Sequence, residues 1–562
     1  MNFIKNSIFL LISLNLLLSK FPDATNYNGM VVSSNKYASD IGVEVLKNGG
    51  NAIDAAIAVS FALAVVHPGA GNIGGGGFMV IRLADGNVTT IDFREVAPSA
   101  AFKDMFLDDS LNVIKGKSWS TALASGIPGS VAGFGMAHEK YGKIKWKKLV
   151  HPSVKLAKKG FALDYQNMKY FNHPYYKEYL SRDVETKKIF TNSVLYKLNE
   201  KFYQIDLGKT LKRIANNGWK EFYVGKTADL ILDCMKRTNG LISKKDLQEY
   251  TPIEREPIKF NYRGYDIFSM PPASSGGVAI ASILNQIENL VLDSLEYHGA
   301  QHIHYVTEVE KRVYADRAYF MGDMDLVPVP IDSLISKEYA KSRWNEVDSL
   351  HSIPSMNVSH GNLSFEYGES EETTHYSVVD KWGNAVSVTT TINGWFGNGI
   401  VVDGAGFLLN NEMDDFSIKP GIPNAYGLIG NVANAIQPNK RMLSSMSPTI
   451  VENSEGNLYL ILGSPGGSTI ITTTAQIIMN VIDFNMSIED AVEAPRFHHQ
   501  WLPDYIQIEE KYFSVETIND LNNRGHEIEN RTSIGEANSI QILDGLLYGA
   551  ADSRRNSYAM GY

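Results

Sequence analysis

Apolar positions near the start of the chain recur with the period of an α-helix. Residues 35–47 show this spacing, and the glycine pair at 49–50 is a natural helix end. Asn51 can cap a second helix, which is apolar and rich in alanine and runs to about Val66. The pattern therefore predicts two consecutive helices, of which the second is buried on most of its surface.

Strand-like runs follow, each bounded by turn residues. Asp85-Gly86-Asn87 predicts a hairpin turn between strands at 78–83 and 88–93. Further along the chain, β-rich runs separated by turn signals predict two more hairpins, 376–379 with 385–392 and 448–451 with 458–462. A buried helix is predicted after them at 469–483.

The middle of the chain has a different character. Residues 128–341 are mostly helical in pattern and include a long predicted helix at 301–320, whereas 348–372 is polar and is expected to be a mobile surface segment. Helices dominate before that segment, and strands followed by helices come after it. This order favours a layered α+β fold over a doubly wound parallel sheet.

Composition and charge narrow the class of protein. Apolar residues make up 44% and charged residues 20%, as in an ordinary globular protein with a large core. The formal net charge is −10, so nothing in the charge balance favours a nucleic-acid partner. The one cysteine, Cys234, lies in an apolar periodic run and is interpreted as a buried structural thiol.

The first 22 residues resemble a secretory signal. Lys5 supplies the positive charge, and residues 8–18 are an apolar stretch too short for a comfortable bilayer span. An uncleaved anchor is the alternative interpretation. From this segment we expect a secreted protein, most simply a periplasmic one. The lone cysteine excludes internal disulfides.

The step from the polar segment to the first downstream hairpin carries a candidate nucleophile. Thr373 stands at this step, after the acidic run Glu369 to Glu372. A threonine at a chain terminus has an α-amine with a pKa of about 7.7–8, which can deprotonate its own hydroxyl. The chemistry requires cleavage of the Glu372–Thr373 bond. Taken alone, Thr373 and Thr374 are better explained as β-branched residues that open a strand.

Seven longer strings carry a resemblance over nearly the whole chain. They are LKNGGNAIDAA at 46–56, DFREVAP at 92–98, PPASSGG at 271–277, TTHYSVVD at 373–380, LNNEMDDF at 409–416, LSSMSP at 443–448 and GSPGG at 463–467. In this order they resemble the γ-glutamyltranspeptidase family of N-terminal-nucleophile hydrolases. The resemblance implies a four-layer αββα sandwich and autocatalytic cleavage before Thr373.

The same resemblance implies a large subunit of residues 23–372 and a small subunit of residues 373–562 that remain together as a heterodimer. A γ-glutamyl group presents an α-carboxylate, an α-ammonium and a distant carbonyl, so its site needs a cation, an anion and an oxyanion hole. The residues implied for the α-carboxylate are Arg94, Ser444 and Ser445. Those implied for the α-ammonium are Asp415, Asn393 and Glu412.

Four further residues complete the implied site. Gly466 and Gly467 correspond to the oxyanion hole, where the absence of side chains lets backbone N–H groups approach the developing charge. Thr391 corresponds to a hydroxyl that bonds the nucleophile. Tyr426, in the string PGIPNAYG at 420–427, resembles the lid residue of bacterial members of the family.

The expected reaction is transfer of the γ-glutamyl group of glutathione and related compounds to water, amino acids or dipeptides, with no cofactor and no metal. His302, His304, His498 and His499 could bind a metal, but the resemblance implies chemistry without one, so metal binding is disfavoured. The alternatives are a β-lactam (glutaryl) side-chain acylase, a poly-γ-glutamate hydrolase or transpeptidase, and a binding protein with an inactive site.

Overall fold

The structure is a computed structural model that describes residues 24–363, 374–419, 421–422, 427–428 and 431–562. Three sequence-based expectations lie outside these residues: the signal at 1–22, the cleavage of the Glu372–Thr373 bond and the lid residue Tyr426.

The described chain folds into helices and strands with the following bounds. The helices are α1 Lys36–Lys47, α2 Ala52–Val66, α3 Ser130–Tyr141, α4 Trp146–Lys159, α5 Tyr165–Asn172, α6 Pro174–Leu180, α7 Val184–Phe190, α8 Ile205–Asn217, α9 Glu221–Val224, α10 Lys226–Thr238, α11 Lys244–Glu249, α12 Gly276–Ile287, α13 Ala300–Phe320, α14 Ile331–Leu334, α15 Lys337–Trp344, α16 Thr469–Ile482, α17 Ile488–Glu493 and α18 Val515–Asn523. The strands are β1 Ala24–Asn26, β2 Met30–Ser33, β3 Gly76–Arg82, β4 Val88–Asp92, β5 Phe161–Ala162, β6 Lys201–Phe202, β7 Ile253–Arg255, β8 Ile258–Tyr262, β9 Tyr265–Ser269, β10 Thr374–Val379, β11 Ala385–Thr391, β12 Thr449–Glu452, β13 Leu458–Leu462, β14 Phe497–His498, β15 Ile506–Glu509, β16 Ile528–Arg531, β17 Asn538–Leu543, β18 Leu546–Ala551 and β19 Tyr558–Gly561.

Two seven-stranded sheets form the centre of the molecule. The first has the order β1-β18-β17-β13-β12-β9-β8 and the second the order β19-β2-β10-β11-β3-β4-β7. The ladders within both sheets are antiparallel. Each sheet therefore presents two faces whose residues alternate along every strand.

The alternation decides which face packs against the other sheet. Met30 and Val32 of β2 belong to one apolar cluster with Ile450 of β12 and Ile540 of β17, so this cluster lies between the sheets. Val31, the residue between the first two, belongs to a different cluster that includes α1 and α2. The two sheets thus pack directly on one another through every second residue.

Helices cover both outer faces. The second sheet is covered by α1, α2 and the helices of the 130–250 region, and the first by α12, α13 and α16. The layers run helix, sheet, sheet, helix, which confirms the predicted αββα sandwich.

Both sheets contain strands from before residue 364 and from after residue 373. In the second sheet β10 pairs with β2 on one side, and β11 pairs with β3 on the other. In the first sheet β12 pairs with β9. Residues before 364 and after 373 therefore share one continuous hydrogen-bond network rather than forming separate domains.

The predicted helices and hairpins are confirmed to within a residue or two at each end. Asn51 caps α2, as expected, and the structure adds Asn35 as the cap of α1. The middle region is mostly helical, but the hairpin of β8 and β9 within it was missed. Cys234 is free and buried, and burial raises the pKa of its thiol to about 11.

The expected mobility of the polar segment is wrong for residues 348–363. The indole Nε1 of Trp501 donates to the carbonyls of Ser355 at 2.8 Å and Val358 at 3.0 Å. The Ser355 hydroxyl donates to Asp504 at 2.7 Å, and the Gly361 amide to Asp316 at 2.7 Å. The polar groups that suggested a solvated segment instead bind distant side chains, some of them downstream of Thr373.

None of the helices that the structure describes is both long enough and apolar enough to cross a membrane.

The cap of α2 provides a test of the local structure. Asn51 Oδ1 accepts from the Asp54 amide at 2.9 Å, and Asp54 Oδ2 accepts from the Asn51 amide at 3.1 Å. We expect Asn51→Ala to lower the free energy of unfolding by about 1–2 kcal/mol, because a helix N–H loses its acceptor. Urea denaturation followed by circular dichroism measures this. Asn51→Ser, which keeps a capping oxygen, should lose clearly less; equal losses would contradict the role of the cap.

Candidate active site

The end of the β10–β11 hairpin opposite its turn contains the first residue of β10, which follows the predicted nucleophile in the sequence. Thr374, the first residue of β10, pairs with Thr390, and Thr391 ends β11 opposite Gly76 of β3. Thr391 Oγ1 accepts from the Asn393 amide at 2.6 Å. Thr373 itself lies outside the described residues, but its peptide bond to Thr374 attaches it to this end of the hairpin.

His375 is the imidazole nearest to this point in sequence, and it is engaged in structural contacts. Its Nδ1 lies 3.0 Å from Thr389 Oγ1, and its Nε2 lies 3.2 Å from Ser377 Oγ. Burial lowers the pKa of His375 to about 3, so the ring is neutral at physiological pH. A ring of such low basicity, with both nitrogens already hydrogen-bonded, is poorly suited to act as the general base for Thr373.

Arg94 stands at the centre of the polar cluster that the sequence predicted. It follows β4 and is fully buried, as are Glu412 and Asp415, which lie together on one 3-10 turn. Arg94 Nη1 donates to Glu412 Oε2 at 2.5 Å, and Nη2 forms an ion pair with Asp415. The structure therefore places the predicted cation and two of the predicted anions in direct contact.

The cluster holds more carboxylates than cations. Glu95 Oε2 lies 3.4 Å from Arg94 Nη1, so three acidic side chains surround one guanidinium. Burial raises the pKa of Glu95 to about 8 and that of Glu412 well above its usual value, and Arg94 opposes both shifts. An ammonium group beside this turn would stabilise the charged carboxylates, and a carboxylate on the same ligand would be attracted by the guanidinium.

Asn393 connects the hairpin to this cluster. Its Nδ2 donates to the Asn411 carbonyl at 3.0 Å, directly before Glu412. Its Oδ1 is buried and has no hydrogen-bond partner within the described parts of the chain. An unpaired buried acceptor is costly, so this oxygen is suited to receive an N–H from a ligand. Asn393 therefore lies beside the acidic turn.

Ser444 and Ser445 are fully buried, and their segment is attached to Arg94. Arg94 Nε donates to the Met442 carbonyl at 3.2 Å and Nη2 to the Leu443 carbonyl at 3.3 Å. The guanidinium thus aligns the segment that carries the two hydroxyls.

Sequence reasoning missed Arg317 of α13. Its Nη2 donates to Ser445 Oγ, and its Nε donates to Ser275 Oγ at 2.6 Å. Tyr314, one turn earlier, donates to the Ser468 carbonyl, directly after Gly467. This helix therefore connects the serine segment with the glycine turn. The available signal was the number of charged residues in a helix that is buried on most of its surface.

Gly466 and Gly467 form the turn between β13 and α16. Their φ angles are 134° and 66°, values that favour glycine. A β-carbon on Gly466 would lie 2.5 Å from Thr469 Oγ1. Among the described residues, neither glycine N–H has an acceptor. Two unpaired N–H groups in one turn are the arrangement that an oxyanion hole requires.

A cavity of about 520 Å³ borders this turn. Gly427, which follows Tyr426 in the sequence, also lines the cavity. This is the size of a small-ligand site.

One cluster has side chains of the types that bind metals, but its carboxylate is already paired with cations. Donor atoms of His304, Glu308 and His526 lie within 4.8 Å of one another. Glu308, however, already pairs with Lys311 and Arg312, each at 2.9 Å. Two cations at the only carboxylate of the set oppose the binding of a third.

Comparison with known proteins identifies the family. The model of the family described as Gamma-glutamyltranspeptidase matches residues 38–562. The glutathione hydrolase proenzyme of Escherichia coli (strain K12) is 49% identical over 94% of this chain and 90% of its own.

Two solved structures are also similar. The γ-glutamyltranspeptidase of Helicobacter pylori is 45% identical with a TM-score of 0.57, and the match covers 58% of this chain and 94% of that one. A cephalosporin acylase from Bacillus halodurans has a TM-score of 0.81 over 96% of each chain, but its 24% identity supports the fold alone. Together with the cluster around Arg94 and the glycine turn, these matches show that the chain belongs to the γ-glutamyltranspeptidase family.

Proposed function

We propose that this protein is a γ-glutamyltransferase and glutathione hydrolase that matures by cleaving its own chain before Thr373. The glutathione hydrolase proenzyme of Escherichia coli named above supports the reaction, since it is 49% identical over 94% of this chain. The donor is glutathione or another γ-glutamyl compound. The acceptor is water, an amino acid or a dipeptide.

The buried contact of Arg94 with Glu412 and Asp415 is the observation that carries the proposal. One cation beside an excess of carboxylates complements an α-amino acid, whose carboxylate and ammonium lie on the same carbon. A glutaryl side chain has the carboxylate but no ammonium, so it would add a negative charge near the acidic turn and bring no positive charge to it. This disfavours the acylase alternative, although that enzyme shares the fold.

In the proposed mechanism the Thr373 hydroxyl attacks the γ-carbonyl and gives its proton to the α-amine of the same residue. The N–H groups of Gly466 and Gly467 stabilise the oxyanion, each contributing about 3 kcal/mol. The amide bond then breaks, and the leaving amine takes the proton. Water or an acceptor amine attacks the resulting ester and releases the γ-glutamyl product.

The roles of the remaining residues follow from their positions. Thr391 ends the strand that pairs with β10, which suits it to hydrogen-bond the nucleophile. Ser444 and Ser445 lie on the segment that Arg94 aligns and would share the α-carboxylate with it. Asn393 would accept from the α-ammonium. Tyr426 would close the site and exclude water, which protects the ester from wasteful hydrolysis.

Maturation would produce a large subunit ending at Glu372 and a small subunit beginning at Thr373. Because each sheet contains strands from both parts, the pieces would remain one particle. The match to the Helicobacter pylori chain, which covers 58% of this chain but 94% of its own, fits a relative divided in two. We also propose export to the periplasm, on the basis of the apolar segment at 1–22.

The first test concerns the nucleophile. Thr373→Ala removes the hydroxyl that both cleavage and turnover need, so the variant should migrate as one uncut band and release no product from γ-glutamyl anilide. Denaturing electrophoresis and intact mass spectrometry measure the cleavage. Thr373→Ser keeps a hydroxyl and should still be cut. Turnover by the uncut Thr373→Ala chain would contradict the mechanism.

The second test concerns the acidic turn. Asp415→Asn removes one charge beside Arg94, and we expect the KM for γ-glutamyl anilide to rise roughly 100-fold. Asp414→Asn is the matched control, because that carboxylate is also buried but accepts from Ser118 at 2.5 Å; its effect on KM should be much smaller. Preference of the unaltered protein for glutaryl over γ-glutamyl anilide would favour the acylase instead.

A further inference from the structure

The cavity beside the glycine turn extends beyond the groups that the γ-glutamyl moiety needs. Its wall includes Gly466 and Gly467, where the reacting carbonyl is proposed to lie, and also Arg531 and Arg555. Neither arginine takes part in the recognition of the α-carboxylate or the α-ammonium described above. A volume of about 520 Å³ leaves room for the rest of a peptide-like donor.

The described wall of this cavity is positively charged. Arg531 and Arg555 contribute two cations, Gln500, Gln507 and Tyr505 contribute neutral polar groups, and no Asp or Glu is among the described lining residues. The chain as a whole carries a formal net charge of −10, so this wall departs from the general surface. A positively charged wall with hydrogen-bonding groups favours an anionic ligand.

Contacts within the protein fix the position of the Arg555 side chain. Its Nη1 lies 3.4 Å from Oε2 of the buried Glu536, and its guanidinium lies 5.4 Å from the centre of the Trp395 ring. Glu536 also accepts from the Ser557 hydroxyl at 2.5 Å, so the carboxylate is itself fixed. A guanidinium positioned in this way loses little conformational freedom when it binds a ligand.

Arg531 has more freedom. It ends β16, its side chain is 47% exposed, and its Nε lies 3.8 Å from Glu529 Oε1. An exposed pair at this distance is weak, and a guanidinium has five N–H donors. Arg531 can therefore turn towards an incoming anion at small cost.

The loop after Arg531 packs against the glycine turn. A β-carbon on Gly466 would lie only 3.2 Å from Cα of Gly535, which is four residues after Arg531. The two arginines and the proposed oxyanion hole therefore belong to one continuous surface. When a γ-glutamyl group is joined to a dipeptide, as in glutathione, the terminal carboxylate lies two residues, about 7 Å, beyond the nitrogen of the reacting amide.

We propose that Arg531 and Arg555 form a subsite for the terminal carboxylate of the dipeptide on the amine side of the reacting bond. The subsite first holds the dipeptide part of the donor and then, after that dipeptide leaves, the carboxylate of an acceptor dipeptide. No bond is made or broken at the arginines. The inference rests on the proposed function, since it assigns the second half of the same substrate.

The test compares glutathione with its C-terminal amide, which differs only in the charge at that end. For the unaltered protein kcat/KM should be higher for glutathione than for the amide. In Arg531→Ala this ratio should fall about three- to tenfold, as expected for one charged hydrogen bond at a partly exposed site. Arg531→Glu should lower it further, and Arg531→Lys, which keeps the charge, should retain most of it.

Arg555→Gln should lower the same ratio. If loss of the contact with Glu536 destabilises this variant, the Arg531 variants still test the subsite, because Arg531 is exposed. Lys236→Ala is the charge control, because Lys236 is an exposed cation that pairs with the also exposed surface residue Asp233 at 3.5 Å. It should leave kcat/KM unaltered for both glutathione and the amide. The acceptor arm uses γ-glutamyl anilide as donor and compares glycylglycine with glycylglycinamide. The arginine variants should raise the acceptor KM for glycylglycine alone.

Two outcomes separate the possible failures. If the arginine variants affect glutathione and its amide equally, the carboxylate subsite is wrong and the proposed function stands. If the unaltered protein does not turn over γ-glutamyl anilide at all, the proposed function itself fails.

Discussion

The burial of one guanidinium is the constraint on which the proposed donor site depends. Arg94 is fully buried, and a buried charge is tolerated only with close partners. Those partners come from residues more than 300 positions away in the sequence: Glu412, Asp415 and the carbonyl of Leu443. The same contacts that satisfy the charge therefore hold the acidic turn and the serine segment in register with β4. Stability and recognition of the substrate depend on one set of bonds.

A second buried network joins the serine segment to the glycine turn. Arg317 and Tyr314 lie one turn apart on α13; the first binds Ser445 and the second binds the carbonyl of Ser468. The same helix therefore contacts both the segment proposed to bind the α-carboxylate and the turn proposed as the oxyanion hole. Small displacements between these two parts would misplace the γ-carbonyl. The buried polar residues of the helix therefore help to keep the two parts at a fixed separation.

The interleaving of strands explains how a cut chain can remain an enzyme. Both sheets contain strands from before residue 364 and after residue 373, and the segment 348–363 is bound by Trp501 and Asp504 from the later part. Cleavage of one bond between them removes no ladder hydrogen bond among the described strands. A hydroxyl and an amine can therefore meet on one residue without loss of the core.

The sequence by itself determined the features that depend on neighbouring residues. The cap at Asn51, the three predicted hairpins and the glycine turn at Gly466 depend on local sequence. Family strings supplied the predicted site residues, and of these the structure brings Arg94, Glu412 and Asp415 into direct contact. Tertiary structure alone decided which polar residues are buried. The segment 348–363 was expected to be mobile, and Arg317 was overlooked, because their partners are remote in sequence. The charged wall at Arg531 and Arg555 arises in the same way, from loops that meet only after both sheets have packed.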